Sequence, residues 1–446
     1  MSHQIHNWAG NVEFRPARVH RPTSLAELQR TVAAADRVRA FGTGHSFNRI
    51  AATDGDLVLL DSLPAQVDVD TDAGTAVISA GMRLADIAPR LHAAGFALPG
   101  LPSLPHISLA GACATGTHGS GNGTPGLAAL VRAIHVVGPD GDVTEISREG
   151  SPDFAGAVVS LGALGVVTQL IVELQPAFDV AQRVWSDVPL DRVLERYEDV
   201  FSAGYSVSVF TDWNRAAAIW VKERLAGHGS PLPASPGSAS SGPASLGLGL
   251  PEAGESVVPP HDWLDGRLAD QPSHPIPGMP AENCTEQLGV PGPWHERLPH
   301  FRSGFTPSSG EELQSEFFIA RPRVAEALAA VRALGEHITP VLQISEIRTI
   351  AGDDLWLSPC HDRDSGAIHF TWIADRAAVT PVLTAVEREL LPLGARPHWG
   401  KLFLSGPEAA LATYQKAAVF ERLMRRHDPK GKFRNGFVQD LFPASD

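Results

Sequence analysis

An imidazole set between glycine and serine after a short apolar run, Gly42-Thr-Gly-His-Ser-Phe47, is the first group in this 446-residue chain placed to do chemistry. Gly42 and Gly44 can take backbone angles closed to other residues and let the chain approach a ligand closely. His45 then offers a nucleophilic nitrogen at the loop apex, and the loop N–H groups have room to cradle an anion. Two glycines one residue apart resemble the dinucleotide fingerprint, but that motif needs a third glycine where Phe47 stands and a helix opening at once. The next residues, Asn48-Arg-Ile-Ala-Ala-Thr-Asp-Gly-Asp56, are turn chemistry, so a Rossmann loop is not expected. The competing reading is a solvated surface loop.

A second glycine-rich stretch runs through Ser103-Leu-Pro-His-Ile-Ser108 and Ala114-Thr-Gly-Thr-His-Gly119. Prolines stiffen its approach, and Ser108 can cap a short helix ending at Ala114. Its backbone donors suit a pyrophosphate; a flexible surface loop is the alternative. Farther along, Gln343-Ile-Ser-Glu-Ile-Arg-Thr-Ile350 reads as a strand with Ile344, Glu346 and Arg348 on one face. Charged heads aimed into a cavity would make a hydrogen-bonding comb for hydroxyls; otherwise they mark a solvated sheet edge. His369 and Thr371 share a face of the strand Ala367–Ile373, and Arg396-Pro-His-Trp-Gly-Lys401 supplies His398 and Lys401 in a stiff loop or a plain surface turn.

These groups need a scaffold, and the pattern predicts one with mixed helices and strands. A helix is expected from Leu25 to Asp36, feeding the strand Val38–Phe41. Strands follow at 57–60, 67–69, 76–80, 133–137, 143–146 and 165–174, with a helix at 84–94 and another at 156–161. Beyond Pro176 the reading gives helices at 190–201 and 325–338 and strands at 205–210, 217–222, 313–319, 343–350 and 367–373, then a helix from Tyr414 to His427. Residues 227–257 shift to Pro, Ser and Gly and are predicted to be an insertion unable to order itself.

The formal charge of -14 argues against nucleic acid or an acidic membrane surface as the main partner. Hydrophobic residues at 43% and charged residues at 19% describe a globular body that a neutral small molecule can approach. Cys113, Cys284 and Cys360 are too scattered for a disulfide scaffold or zinc site, so no metal is expected and a reducing, cytoplasmic location is. No stretch is long enough to cross a bilayer.

Taken together, Gly42 to Phe47, Ser103 to Ser108, Ala114 to Gly119, Gly162-Ala-Leu-Gly-Val-Val167, Glu346-Ile-Arg348, Pro397-His-Trp-Gly-Lys401 and the Lys430 to Phe437 ending resemble the alditol oxidases. These are flavoproteins of the vanillyl-alcohol oxidase type, with sugar-lactone oxidases as close relatives. The resemblance runs from about Trp8 to Phe442. It implies an α+β chain with a PCMH-type FAD-binding domain over 1–176, a mixed α/β substrate-capping domain over 177–405 and a segment, 406–446, returning to the first. FAD would be attached covalently through His45. Gly42, Thr43, Gly44, Ser46, Phe47, Ser103, Ser108, Gly111, Thr115, Gly116, Thr117, His118, Val167 and His398 would contact it. Ser103, Glu346, Arg348, Thr371, His398 and Lys401 would bind a polyol, with Arg348, Lys401, His369 and Glu346 catalytic. The implied reaction is oxidation of a terminal hydroxyl by a monomer, with molecular oxygen reduced to peroxide. Pro102, in the turn Leu101-Pro-Ser103, is a residue type that accompanies oxygen use in such proteins. The alternatives are a sugar-lactone oxidase or dehydrogenase and a non-enzymatic carbohydrate-binding protein.

Overall fold

The computed structural model describes residues 5–214, 216–225, 258–305 and 311–443; the predicted insertion at 227–257 lies outside them. After a short antiparallel pair, Ile5–His6 with Glu13–Phe14, comes a three-stranded parallel sheet with Asp56–Leu59 between Arg18–His20 and Val38–Phe41. The helix Leu25–Ala34 joins two of these strands. Ser24 accepts from the Glu27 N–H, and the Glu27 carboxylate reaches back to the Thr23 N–H at 2.8 Å, a reciprocal cap that fixes where the helix starts. The helix ends two residues short of Asp36, because Ala35 is already extended.

Arg39, buried in the last of these strands, ties distant segments together. Its guanidinium donates to the carbonyls of Leu161, Gly162 and Phe433 at 2.8 to 2.9 Å, and to that of Ile50. The strand that launches the Gly42 loop is therefore braced from behind by the 160s and by the C-terminal segment. A five-stranded antiparallel sheet follows, ordered Val143–Ser147, Val131–Val137, Val166–Glu173, Thr75–Ser79, Val67–Asp70. In Val166–Glu173 every second residue is buried, the period of a strand with one face on a core.

The larger sheet has nine strands. Its middle runs Ser206–Thr211, Leu342–Ile350, Ser365–Ile373, Glu312–Ala320, all antiparallel. The register places Glu316, His369, Glu346 and Phe210 in one row across these four strands, since Glu316 and Glu346 both pair with His369, and Glu346 also with Phe210. The opposite face carries Phe317, Ile347, Ile368, Phe370 and Trp372 into one hydrophobic cluster with the helices Val324–Ala333 and Arg376–Leu390. Burial on that face fixes the register, and one slipped residue would exchange the faces. A separate cluster joins Leu28, Val32, Ile78 and Leu170 with Phe420, Met424 and Val438 of the C-terminal helices.

Several helices differ from their sequence patterns. The span 190–201 is two helices, Leu190–Glu195 and Tyr197–Phe201, broken at Arg196 (φ -116°, ψ 29°). The span 325–338 is divided at Leu334, where Gly335 passes against the Trp213 carbonyl too closely for any side chain. Only Phe154–Ala157 is helical in the 156–161 region, because Leu161 (φ 54°) and Gly162 (φ 70°) turn the chain left-handed. The last long helix starts at Ala417 rather than Tyr414.

Candidate active site

A cavity of about 410 Å³ lies between the glycine-rich loops and the face of the large sheet that carries the Glu346 row, a size ordinary for a ligand site. At one end stand Gly42 to Ser46. Among the described residues the N–H groups of Thr43, Gly44, His45 and Ser46 have no acceptor, whereas Phe47 N–H donates to the Gly400 carbonyl at 2.7 Å. Gly44 takes φ +69°, and a side chain on Gly42 would stand 2.4 Å from Ser108 Oγ. Ser108 does not cap the helix Leu109–Ala114 with its hydroxyl; the oxygen lies instead close against both Gly42 and Gly111. Four adjacent unpartnered N–H groups, with Gly44 left-handed and Gly42 packed close on Ser108, fit the phosphates and ribityl chain of a flavin dinucleotide.

His45 is half-buried, with the Trp8 ring 4.3 Å away and tilted 39°. Crowding by protein atoms, then the charges of His106 and Lys401, lower its pKa to about 3. The ring is thus neutral at physiological pH, the form with a nucleophilic nitrogen.

The opposite end is a buried set of charges. Lys401 Nζ donates to Glu316 Oε2 at 2.7 Å and to His369 Nδ1 at 2.8 Å. Glu316 Oε1 lies 3.4 Å from His118 Nε2 and 3.7 Å from Arg348. Arg348 also meets Glu346 Oε2 at 3.0 Å, while Glu346 Oε1 takes the ring hydrogen of His300 Nε2 at 2.8 Å. Burial alone would raise both carboxyls. Lys401, His118 and Arg348 nevertheless hold Glu316 well below the usual range, and Arg348 with His300 do the same for Glu346. Desolvation, then the nearby cations, keep His369 and His398 neutral, and burial lowers Lys401 against the pull of Glu316.

Hydrogen positions follow from these partners. Lys401 has only donors, so His369 Nδ1 accepts and Nε2 carries the ring hydrogen, directed at Thr371 Oγ1 3.1 Å away. That leaves the Thr371 hydroxyl hydrogen for a ligand. His398 Nδ1 likewise accepts from Gly400 N–H at 3.0 Å, so its Nε2 is a donor. Among the described residues Ser103 Oγ is buried with no partner.

Most of the expected site residues meet here. Gly42, Thr43, Gly44, His45, Ser46, Ser108, Gly111, Thr115, Thr117 and Val167 line the loop end of the cavity, and Ser103, His118, Glu346, Arg348, His369, Thr371, His398 and Lys401 the charged end. Phe47 and Gly116 do not reach it. The Phe47 side chain turns into the hydrophobic cluster beside Trp8, and Gly116 faces the Pro359 ring. The Glu346 strand is no solvated edge, since it is paired on both sides, and Lys401 does not snorkel. Sequence reading missed Glu316, Gln314 and His300. The first two had a signal in Leu313-Gln-Ser-Glu-Phe-Phe-Ile319, where polar residues two apart share one face; His300 sits in a loop and had none.

Comparison with known proteins fits this geometry. A family model described as an FAD binding domain matches residues 16–147, and one described as D-arabinono-1,4-lactone oxidase matches 311–441. The solved cholesterol oxidase of B. sterolicum superposes with a TM-score of 0.74 at 15% identity, covering 99% of this chain and 96% of its own. Fold and site define an FAD-dependent oxidoreductase of PCMH type. The alditol oxidase of a Streptomyces species is 47% identical over 99% of both chains, whereas the L-gulono-1,4-lactone dehydrogenase of Mycobacterium tuberculosis is 28% identical over 97% of both. The chain belongs to the alditol oxidase family.

Proposed function

We propose that the chain oxidises the terminal hydroxyl of linear polyols such as xylitol, sorbitol or glycerol, releasing the aldose and hydrogen peroxide, with FAD bonded covalently to His45. The observation that carries this reading is the buried comb of donors and acceptors, Arg348, Glu346, Lys401, Thr371 and Ser103, facing the loop of unpartnered N–H groups across one cavity. A polyol needs such alternation, because each hydroxyl both donates and accepts. FAD, held by the Gly42 to Ser46 loop and the Ser108 to Thr117 segment, would supply the redox chemistry, the carbon-bound hydrogen leaving as hydride and, with the hydroxyl proton, ending in peroxide.

The protein's own residues bind, orient and stabilise charge. Arg348 and Lys401 offer cationic N–H groups where the alcohol oxygen turns negative, and preorganised donors of this kind lower the barrier most. The Thr371 hydroxyl and His398 Nε2 add neutral donors. Glu346, kept ionised, accepts from a neighbouring hydroxyl and fixes which carbon is presented, so orientation supplies part of the rate. Ser103 Oγ finds its missing partner in the substrate. His45, held neutral, keeps a lone pair for attachment to the flavin ring. Pro102 on the cavity wall supports oxygen as the acceptor.

The same reading assigns 1–176 with 406–446 to the FAD domain and 177–405 to the substrate domain, supported by the hydrophobic cluster that the C-terminal helices share with the first sheet. It also has the chain acting as a cytoplasmic monomer, in keeping with three buried free cysteines. Peroxide release with xylitol tests the assignment; turnover with an artificial acceptor alone, and none with oxygen, rejects the oxidase. The lactone-oxidase model that matches 311–441 makes gulonolactone the informative competitor. Yellow colour should stay with acid-denatured wild-type protein and leave His45→Ala.

A further inference from the structure

Lys222, on the strand Ala216–Leu225, is 1% exposed, and none of its hydrogen-bond partners is a carboxylate. Its Nζ donates to the Leu298 carbonyl, to the Pro299 carbonyl at 3.3 Å and to His300 Nδ1 at 3.3 Å. A cation buried without an adjacent counter-ion costs several kcal/mol unless something nearby uses it.

His300 is what lies nearby. Phe210 and Trp220 hold its ring edge-on at 5.2 and 5.3 Å, so its orientation is fixed. As an ammonium Lys222 can only donate, which makes Nδ1 the acceptor and puts the ring hydrogen on Nε2. That hydrogen points at Glu346 Oε1, 2.8 Å away. The His300 backbone N–H also donates to the Ser103 carbonyl at 3.2 Å, so one residue registers two polyol-facing groups from different elements.

We propose that Lys222 and His300 are positioning residues: Lys222 selects the His300 tautomer whose Nε2–H anchors Glu346 for hydroxyl recognition, and His300 sets Glu346 against Ser103. Neither carries a step of the redox reaction. The proposal rests on Glu346 reading the polyol, as argued above. The charges around the pair agree with it: burial and then Lys222 lower His300 to about 4, so the neutral ring has one hydrogen to place, and Glu346, held ionised by Arg348, can only accept it.

The test uses flavin-bearing holoenzyme and steady-state kinetics with xylitol. His300→Phe keeps a ring between Phe210 and Trp220 but removes the donor, and should raise KM about tenfold, the range for one hydrogen bond to a charged group, with kcat within about threefold. His300→Gln can restore an N–H near the Nε2 position and should recover most of the lost affinity. Lys222→Met frees the ring to take the other tautomer and should behave like His300→Phe, whereas Lys222→Gln, which still donates, should stay near wild type. Unchanged KM in folded, yellow His300→Phe overturns the proposal, as do equal losses in His300→Gln and His300→Phe. If Lys222→Met fails to accumulate, the His300 pair decides. Glu346→Gln separates the two levels: a wild-type KM there overturns the underlying reading of the site, while a raised KM there with unchanged KM in His300→Phe overturns the relay alone.

Discussion

Glu316→Gln should disable the site by discharging Lys401 while leaving the fold intact. The carboxylate is 1% exposed and lies 2.7 Å from Lys401 Nζ. At an effective dielectric near 20 such a contact is worth about 6 kcal/mol in gross Coulomb energy. Desolvation offsets much of that, and removing one member of a buried pair costs about 3–5 kcal/mol net. If about 3 kcal/mol of it falls on the protonation of Lys401, the ammonium pKa drops by about two units. Lys401 is already pushed down by burial, so the variant amine would be neutral over more of the physiological range. In the proposed reaction that ammonium stabilises the developing alkoxide. If Lys401 acts in this way, the alkaline limb of kcat, where it loses its proton, should move about two units toward acid, with kcat falling at every pH above the new limb. Peroxide release at saturating xylitol, read from pH 5 to 10 in wild type and Glu316→Gln, gives both quantities. An unshifted limb together with kcat within twofold of wild type would refute the argument.

Glu387, on the helix Arg376–Leu390, is buried and accepts from the Leu404 N–H at 2.7 Å; burial raises its pKa to about 7. An acid raised on folding contributes stability below its unfolded pKa and loses it as pH rises. Wild type should give up about 3 kcal/mol between pH 4.5 and 8, and Glu387→Gln should flatten that decline; parallel melting curves for the two would sink this. Gly165 sits at φ +150° with the Val137 carbonyl 2.6 Å from where a Cβ would lie. Gly165→Ala should lower Tm by about 3–6 °C and weaken flavin retention, and a Tm within 1 °C of wild type would contradict the strain argument. In Ser103→Ala, loss of a hydroxyl with no protein partner should leave Tm unchanged and raise KM for xylitol about tenfold; a fall in Tm instead would mean that the hydroxyl serves the fold.

Local signals carried the elements of the site better than its assembly. The Gly42 to Ser46 loop was legible because glycine spacing after an apolar run is a backbone property, and Glu346 with Arg348 because two-residue spacing fixes a face. Glu316 escaped notice although its strand was legible, since only strand register brings it beside His369 and across from Glu346. Register depends on packing between segments far apart in the chain, such as Phe370 and Trp372 against two helices. His300 carried no periodic signal and Lys222 only that of a strand end, and their roles exist only once a loop folds over the sheet. The helix break at Leu334 has a similar origin, because the close approach of Gly335 to the Trp213 carbonyl overrides a helical pattern. Ser108 looked like a cap and instead lies close against Gly42 and Gly111, a distinction only the spatial approach of Gly42 decides.

Arg39 imposes an order of events on biogenesis. Its guanidinium holds the strand beneath the cofactor cradle by gripping Phe433, a residue the ribosome adds 394 positions later. Until that carbonyl has left the exit tunnel, the strand behind Gly42 is held only through the Ile50, Leu161 and Gly162 carbonyls, so the full set of contacts beneath the loop closes only on a nearly finished polypeptide.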